Sequence, residues 1–193
     1  MNSLKLYMLL IGCKPEGRFT EQHDVFFGIG TSLKELIPHI HDFWPEAKST
    51  LHIDAWREVT SVDGHEIRIL PRDENQNEVD ESADLKLFFL NLGGYKKDEF
   101  EEYHSKMLVI AGNSSKAIKQ AKQTIFYKET GFKGAASHID DKYALDVDDI
   151  YPVEDILNAS DKTKYRIKLL VDSAKTESDQ IHLGYLQLSK IKE

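Results

Sequence analysis

The sequence predicts an α+β protein made of two tandem ββαββ-like repeats packed as a pseudo-dimer. Three observations carry this expectation. KLYMLLIGC from Lys5 recurs as KLFFLNLGG from Lys86, a shift of 81 residues. Each half pairs strand-like runs with a single helical segment, without the long βαβ alternation of a doubly wound sheet. A polar, acidic stretch, PRDENQNEVDESAD from Pro71 to Asp84, lies between the halves and reads as a solvated linker. The expected boundaries are repeat 1 at 1–72, an acidic linker at 73–83, repeat 2 at 84–172 and a tail element at 173–193.

The elements follow in order. LKLYMLLIG is apolar without alternation, as a strand buried on both faces would be. HDVFFGIG is a second strand. A helix should then start at Ser32, because Ser32 with Glu35 forms a capping-box pattern. Leu33, Leu36, Ile37, Ile40 and Trp44 recur on one helical face. Pro38 should kink or shorten that helix. STLHIDAWREV and GHEIRIL read as two strands around the turn Val62-Asp63-Gly64.

The second half runs in parallel. LKLFFLNL and HSKMLVIAG are its strands, and Asn113 or Ser114 opens a helix carrying Ala117, Ile118, Ala121 and Ile125. Gly131 stands where that helix should end. ASHID and YRIKLLV are the later strands, VEDILNA an added helical turn, and IHLGYLQLSKI a last strand or helix.

The same shift of 81 carries Phe19 onto Phe100, Glu21 onto Glu102, His23 onto His104, Ile29 onto Ile110 and Ile37 onto Ile118. HID at His52–Asp54 recurs at His138–Asp140 with a shift of 86. Order and near-constant offset together predict a tandem duplication.

Composition bounds the function. A chain of 193 residues, 40% hydrophobic, has enough apolar material for a real core. Its formal net charge of −8 repels phosphate backbones, so nucleic-acid binding is disfavoured. The N-terminal apolar run is too short for a membrane span and lacks a cleavage site, so no membrane association is expected. A single cysteine, Cys13, allows no internal disulfide and fits a cytoplasmic protein.

Four features bear on chemistry. Gly28 and Gly30 lead into the first helix, which offers an anion site in principle. The third glycine of a dinucleotide fingerprint and the Gly-Lys-Ser/Thr of a P-loop are both missing, so the pair reads as close packing. The acid–histidine groups come next: Glu21, His23 and Asp24 with His52 and Asp54, and Glu102 and His104 with His138 and Asp140. Residues two apart on a strand share a face, so Glu21 and His23 converge. If the His23 and His52 strands are neighbours, each repeat gathers two histidines and two acids. That set is either a mixed N/O metal site, with His23, His52 and Asp54 as ligands, or a base with its orienting acid. The commoner use of such a pair is an acid hydrogen-bonded to a histidine to hold two strands together. Third, Asp140, Asp141, Asp146, Asp148 and Asp149 crowd into IDDKYALDVDDIYPVED, which lacks calcium-loop spacing and reads as a solvated acidic loop. Fourth, Lys14 and Arg18 in KPEGRF could hold an anionic ligand beside His23. Gly94 replaces Cys13 in the second half, which argues against a required thiol nucleophile.

GCKPEGRFTEQHDVFFGIG at Gly12–Gly30, HIDAWREV at His52 and HIDDKYALDVDDIY at His138 together resemble the family catalogued as domain of unknown function 1543. The resemblance implies a short domain held in one or two copies. It implies no activity and carries over no catalytic residue. The second half departs from the fuller pattern, with Tyr103 for Gln22, Ser105 for Asp24, and Val109 and Ala111 for the glycine pair.

The expected function is therefore a cytoplasmic module binding a small molecule or a protein, with no cofactor beyond a divalent metal. The rival is a metal-assisted hydrolase centred on the His/acid cluster.

Overall fold

An apolar strand without alternation suits the interior of a sheet, and Lys5–Cys13 (β1) lies there, between two other strands. The computed structural model describes residues 3–72, 84–95, 98–123, 145–171 and 178–192. They form an α+β structure with three antiparallel sheets and short helices. Two compact units appear, one of residues 1–78 with 156–193, the other of residues 79–155. The first unit thus includes the segment from Ile156 onward, which the sequence places in the second repeat and the tail. Among the described residues no helix is long and apolar enough to cross a membrane.

In the first unit β1 pairs antiparallel with Gln22–Gly30 (β2) on one side and His52–Val59 (β3) on the other. The helical connection differs from the expected single helix. Leu33–Leu36 is a 3₁₀ turn, and α1 runs only from Ile37 to Phe43, with Pro38 in its first turn. Proline has no N–H to donate and suits that position, so it starts the helix instead of kinking it. Ser32 makes no side-chain cap. Glu35 instead accepts from the Thr31 N–H at 2.7 Å and the Thr31 hydroxyl at 2.8 Å. Leu36 and Ile40 are buried with Tyr7, Leu9, Ile11, Cys13, Phe26 and Ile53 on one face of the sheet. Each such side chain contributes about 1.5–3 kcal/mol on full burial. Gly28 and Gly30 serve this packing: a Cβ on Gly28 would lie 3.0 Å from Leu36, and one on Gly30 3.2 Å from it.

The turn Val62-Asp63-Gly64 forms, with positive φ at Asp63 and Gly64, and joins Ser61–Val62 (β4) to His65–Pro71 (β5). YRIKLLV is a strand, Tyr165–Val171, but its partner is β5, with Ile67 opposite Leu169 and both buried. It completes the first unit and is not a strand of the second half. The tail supplies His182–Gln187, which pairs with the free edge of β3.

The second unit joins Lys86–Tyr95 (β6), Glu102–Ala111 (β7), the helix Ser114–Ala121 (α2) and Leu145–Pro152 (β8). The side chain of Asn113 accepts from the Lys116 N–H and caps α2. Phe88, Leu90, Leu92, Val109 and Ala111 pack with Ala117 and Ala121. β6 lies between β7 and β8. LDVDDIYP is therefore a strand where a solvated acidic loop is expected. Val147 and Ile150 pack against the core and hold it. The linker 73–83, Ile125, Gly131, and the residues His138 and Asp140 lie outside the described residues.

Candidate functional site

β1 faces the α1 core with Tyr7, Leu9, Ile11 and Cys13, so Gly12 points to the opposite face. Gly12 stands opposite His23 on β2 and His52 on β3. The two histidine strands are thus not neighbours. The absence of a side chain at Gly12 leaves the space above β1 in which they converge. A bulge completes the set. Leu10 pairs with Ala55 and Ile11 with Ile53, so Asp54 is an extra residue, and its carboxylate also sits over Gly12. A Cβ on Gly12 would lie 2.6 Å from both Asp54 Oδ2 and His52 Nε2.

Four side chains form a ring of contacts above this glycine. His52 Nε2 lies 3.0 Å from Glu21 Oε1 and 3.4 Å from Asp54 Oδ2. His23 Nε2 lies 3.2 Å from Asp54 Oδ2 and 3.9 Å from Glu21 Oε2. His52 is 3% exposed, and the ring of Tyr185 covers it at a centroid distance of 4.4 Å. Its Nδ1 is 3.0 Å from the Thr50 carbonyl oxygen. A carbonyl only accepts, so Nδ1 carries a proton, and Nε2 is the ring nitrogen that faces the two carboxylates. His52 Nε2 and Asp54 Oδ2 are both buried, and neither has a hydrogen-bond partner among the described residues. Acceptors facing acceptors repel unless a cation or a proton sits between them.

The second unit repeats much of this geometry. Gly93 on β6 stands opposite His104 on β7. β8 carries the matching bulge: Asn91 pairs with Asp149 and Leu92 with Val147, which leaves Asp148 extra. A Cβ on Gly93 would meet the Asp148 carboxylate at 2.4 Å. His104 Nε2 lies 3.3 Å from Asp148 Oδ2 and 3.9 Å from Glu102 Oε2. Asp148 therefore holds the position that Asp54 holds in the first unit.

The other candidates stand apart from these clusters. Asp24 pairs with Ile11, one step from Gly12, and so lies on the other face of the sheet. Lys14 and Arg18 are exposed in the loop after β1, where the Arg18 N–H donates to the Pro15 carbonyl. Cys13 is buried in the core, and burial, with the charge of Glu21 second, raises its thiol pKa. A protonated, buried thiol makes a poor nucleophile. Sequence reasoning missed three parts of the site: the glycine floors, the bulged Asp148 and the covering Tyr185. Gly12 over Gly93 was a readable signal, since a glycine inside a strand marks a close approach.

Fold and geometry together define an α+β protein with an acid–histidine cluster on one face of each of two sheets. Residues 18–69 match the family model described as Domain of Unknown Function (DUF1543). No curated protein matches the chain. The crystal structure of a protein Il1583 from Idiomarina loihiensis is similar, with a TM-score of 0.63 and 21% identity. The likeness covers 97% of this chain and 99% of that one, and at this identity it carries the fold alone.

Proposed function

We propose that this chain is a metal-binding module whose first unit holds a divalent ion between Glu21, His23, His52 and Asp54. One observation carries the reading: the buried His52 Nε2, its ring oriented by the Thr50 carbonyl, faces two carboxylates without a hydrogen bond. Four tetrahedral bonds of about 2.0–2.2 Å place donor atoms roughly 3.3–3.6 Å apart. Three of the four ring contacts, 3.0, 3.2 and 3.4 Å, lie within about 0.3 Å of that spacing. Two imidazoles and two carboxylates suit Zn²⁺ or another late first-row ion. Such an ion would be held by the side chains alone, with Thr50 orienting His52 from behind.

Four protein donors favour binding over metal-assisted hydrolysis, which needs a coordination position open to water. A tandem duplication accounts for the two clusters. Its support is the shared shift of 81 that carries Gly12, Glu21 and His23 onto Gly93, Glu102 and His104, with a bulged aspartate in each unit.

The test is zinc titration of tag-free protein by calorimetry, with thermal melts as a fold control. Wild type should bind zinc at the first unit, and His52→Ala and His23→Ala should each weaken that binding at least about 100-fold while remaining folded. A ligand lost outright exceeds the 10–100-fold effect of losing a supporting group. Zinc binding unchanged in both variants would overturn the proposal.

A further inference from the structure

From the second cluster we infer that residues 79–155 carry a separate metal site, formed by Glu102, His104 and Asp148, that is open to solvent and prefers a harder ion than the first. The inference extends the metal-binding reading to a second centre of different character. One donor atom from each of these three residues lies within 4.8 Å of the others. All three residues are exposed, whereas His52 in the first unit is buried under Tyr185.

The donor sets differ by one residue type. In the first unit His52 stands opposite Gly12. In the second, the residue opposite Gly93 is Asp146. The described donors of the second site are thus one imidazole and two carboxylates, against two of each in the first. Oxygen-rich sets with open positions suit Mn²⁺ or Mg²⁺, which keep several waters, better than they suit zinc. The site also has a supporting group. Tyr95 pairs with Glu102 across β6 and β7, and its phenol donates a hydrogen bond to that carboxylate. Tyr95 thereby orients a ligand from behind.

Tyr95 belongs to the supporting shell, so Tyr95→Phe should weaken Mn²⁺ binding about 10-fold, less than removing a ligand. The main experiment titrates Mn²⁺ into the full chain by electron paramagnetic resonance, with water-proton relaxation reporting bound water. Zinc titration of the same variants serves as the internal control. Wild type should bind Mn²⁺ with enhanced water relaxation. His104→Ala and Asp148→Ala should lose that binding at least about 100-fold while zinc binding at the first unit persists. His52→Ala should do the reverse. No Mn²⁺ binding by wild type, or binding unchanged in His104→Ala and Asp148→Ala, overturns this inference and leaves the first site untouched. Mn²⁺ binding lost in those variants, with zinc binding indifferent to His52, keeps the second site and removes the first.

Discussion

Replacing Gly12 by alanine tests whether the four side chains above it need an open floor. The added methyl group would lie 2.6 Å from Asp54 Oδ2 and from His52 Nε2, where ordinary contact begins at 3.4 Å. Each atom must therefore retreat by about 0.8 Å, or the strands must part. Asp54, about a quarter exposed, can swing outward at little cost. His52 cannot, because it is buried beneath Tyr185 and tied to the Thr50 carbonyl. Overpacking of a core costs about 1–3 kcal/mol. Only side-chain ends move here, so the lower part of that range applies, about 1–2 kcal/mol. In a chain of this size that lowers Tm by roughly 2–8 °C. The effect on metal is larger, since a donor displaced by about 0.8 Å exceeds the roughly 0.2 Å tolerance of a metal–ligand bond. Zinc affinity should fall at least about 100-fold by calorimetry, with a near-native circular dichroism spectrum. Gly17→Ala is the control. Nothing lies within 4 Å of a Cβ there, so its positive φ costs some stability but zinc binding should be unchanged. If Gly12→Ala binds zinc within about threefold of wild type and melts at the same temperature, the cluster does not occupy the space above that residue.

Two further outcomes follow from polar groups away from the clusters. Asp161 is buried in the first unit and accepts from the Ile29 N–H of edge strand β2 at 3.2 Å and from Asn158 Nδ2 at 2.7 Å. Asp161→Ala strands both donors and should cost about 2–3 kcal/mol in urea unfolding; a loss below about 0.5 kcal/mol would mean that water serves them equally well. Burial, then the charges of Glu58 and Glu35, pushes the Tyr7 phenol up to about 12 from its ordinary 10.0. A raised folded pKa gives stability that is whole below the unfolded value and is lost as pH climbs through the folded one. Stability should therefore fall between about pH 10 and 12, and Tyr7→Phe should flatten that limb in pH-dependent melts.

Much of the local structure was legible because it depends on neighbours in sequence. Asn113 caps α2, Asp63-Gly64 turns a hairpin, and the apolar runs of β1 and β6 match in sequence at a shift of 81. What stayed hidden depends on strand order and register. The sequence brings Glu21 near His23 by alternation, but the meeting with His52 requires β1 to lie between their strands and to offer a glycine there. The bulge that turns Asp54 and Asp148 over those glycines leaves no mark in hydrophobic pattern. In the second unit the strand in register with β6 is LDVDDIYP, whose acidic run DVDD reads as a loop by composition. Likewise YRIKLLV is plainly a strand, but nothing in its composition says that its partner lies in GHEIRIL, almost a hundred residues earlier.

That last pairing has a consequence for synthesis. The first unit is interrupted in the chain: it stops at Glu78 and resumes at Ile156, after 77 intervening residues. At about 5–20 residues per second, a ribosome takes roughly 4–15 s to cross that gap. Throughout the delay β5 and the outer edge of β3 are without the strands that will pair with them. Unpaired edges recruit other chains. The second unit can form as it emerges, while the first must wait for residues 156–193. Slowing translation there, or truncating the last strand, should raise aggregation of nascent chains more than the same change made within the second unit.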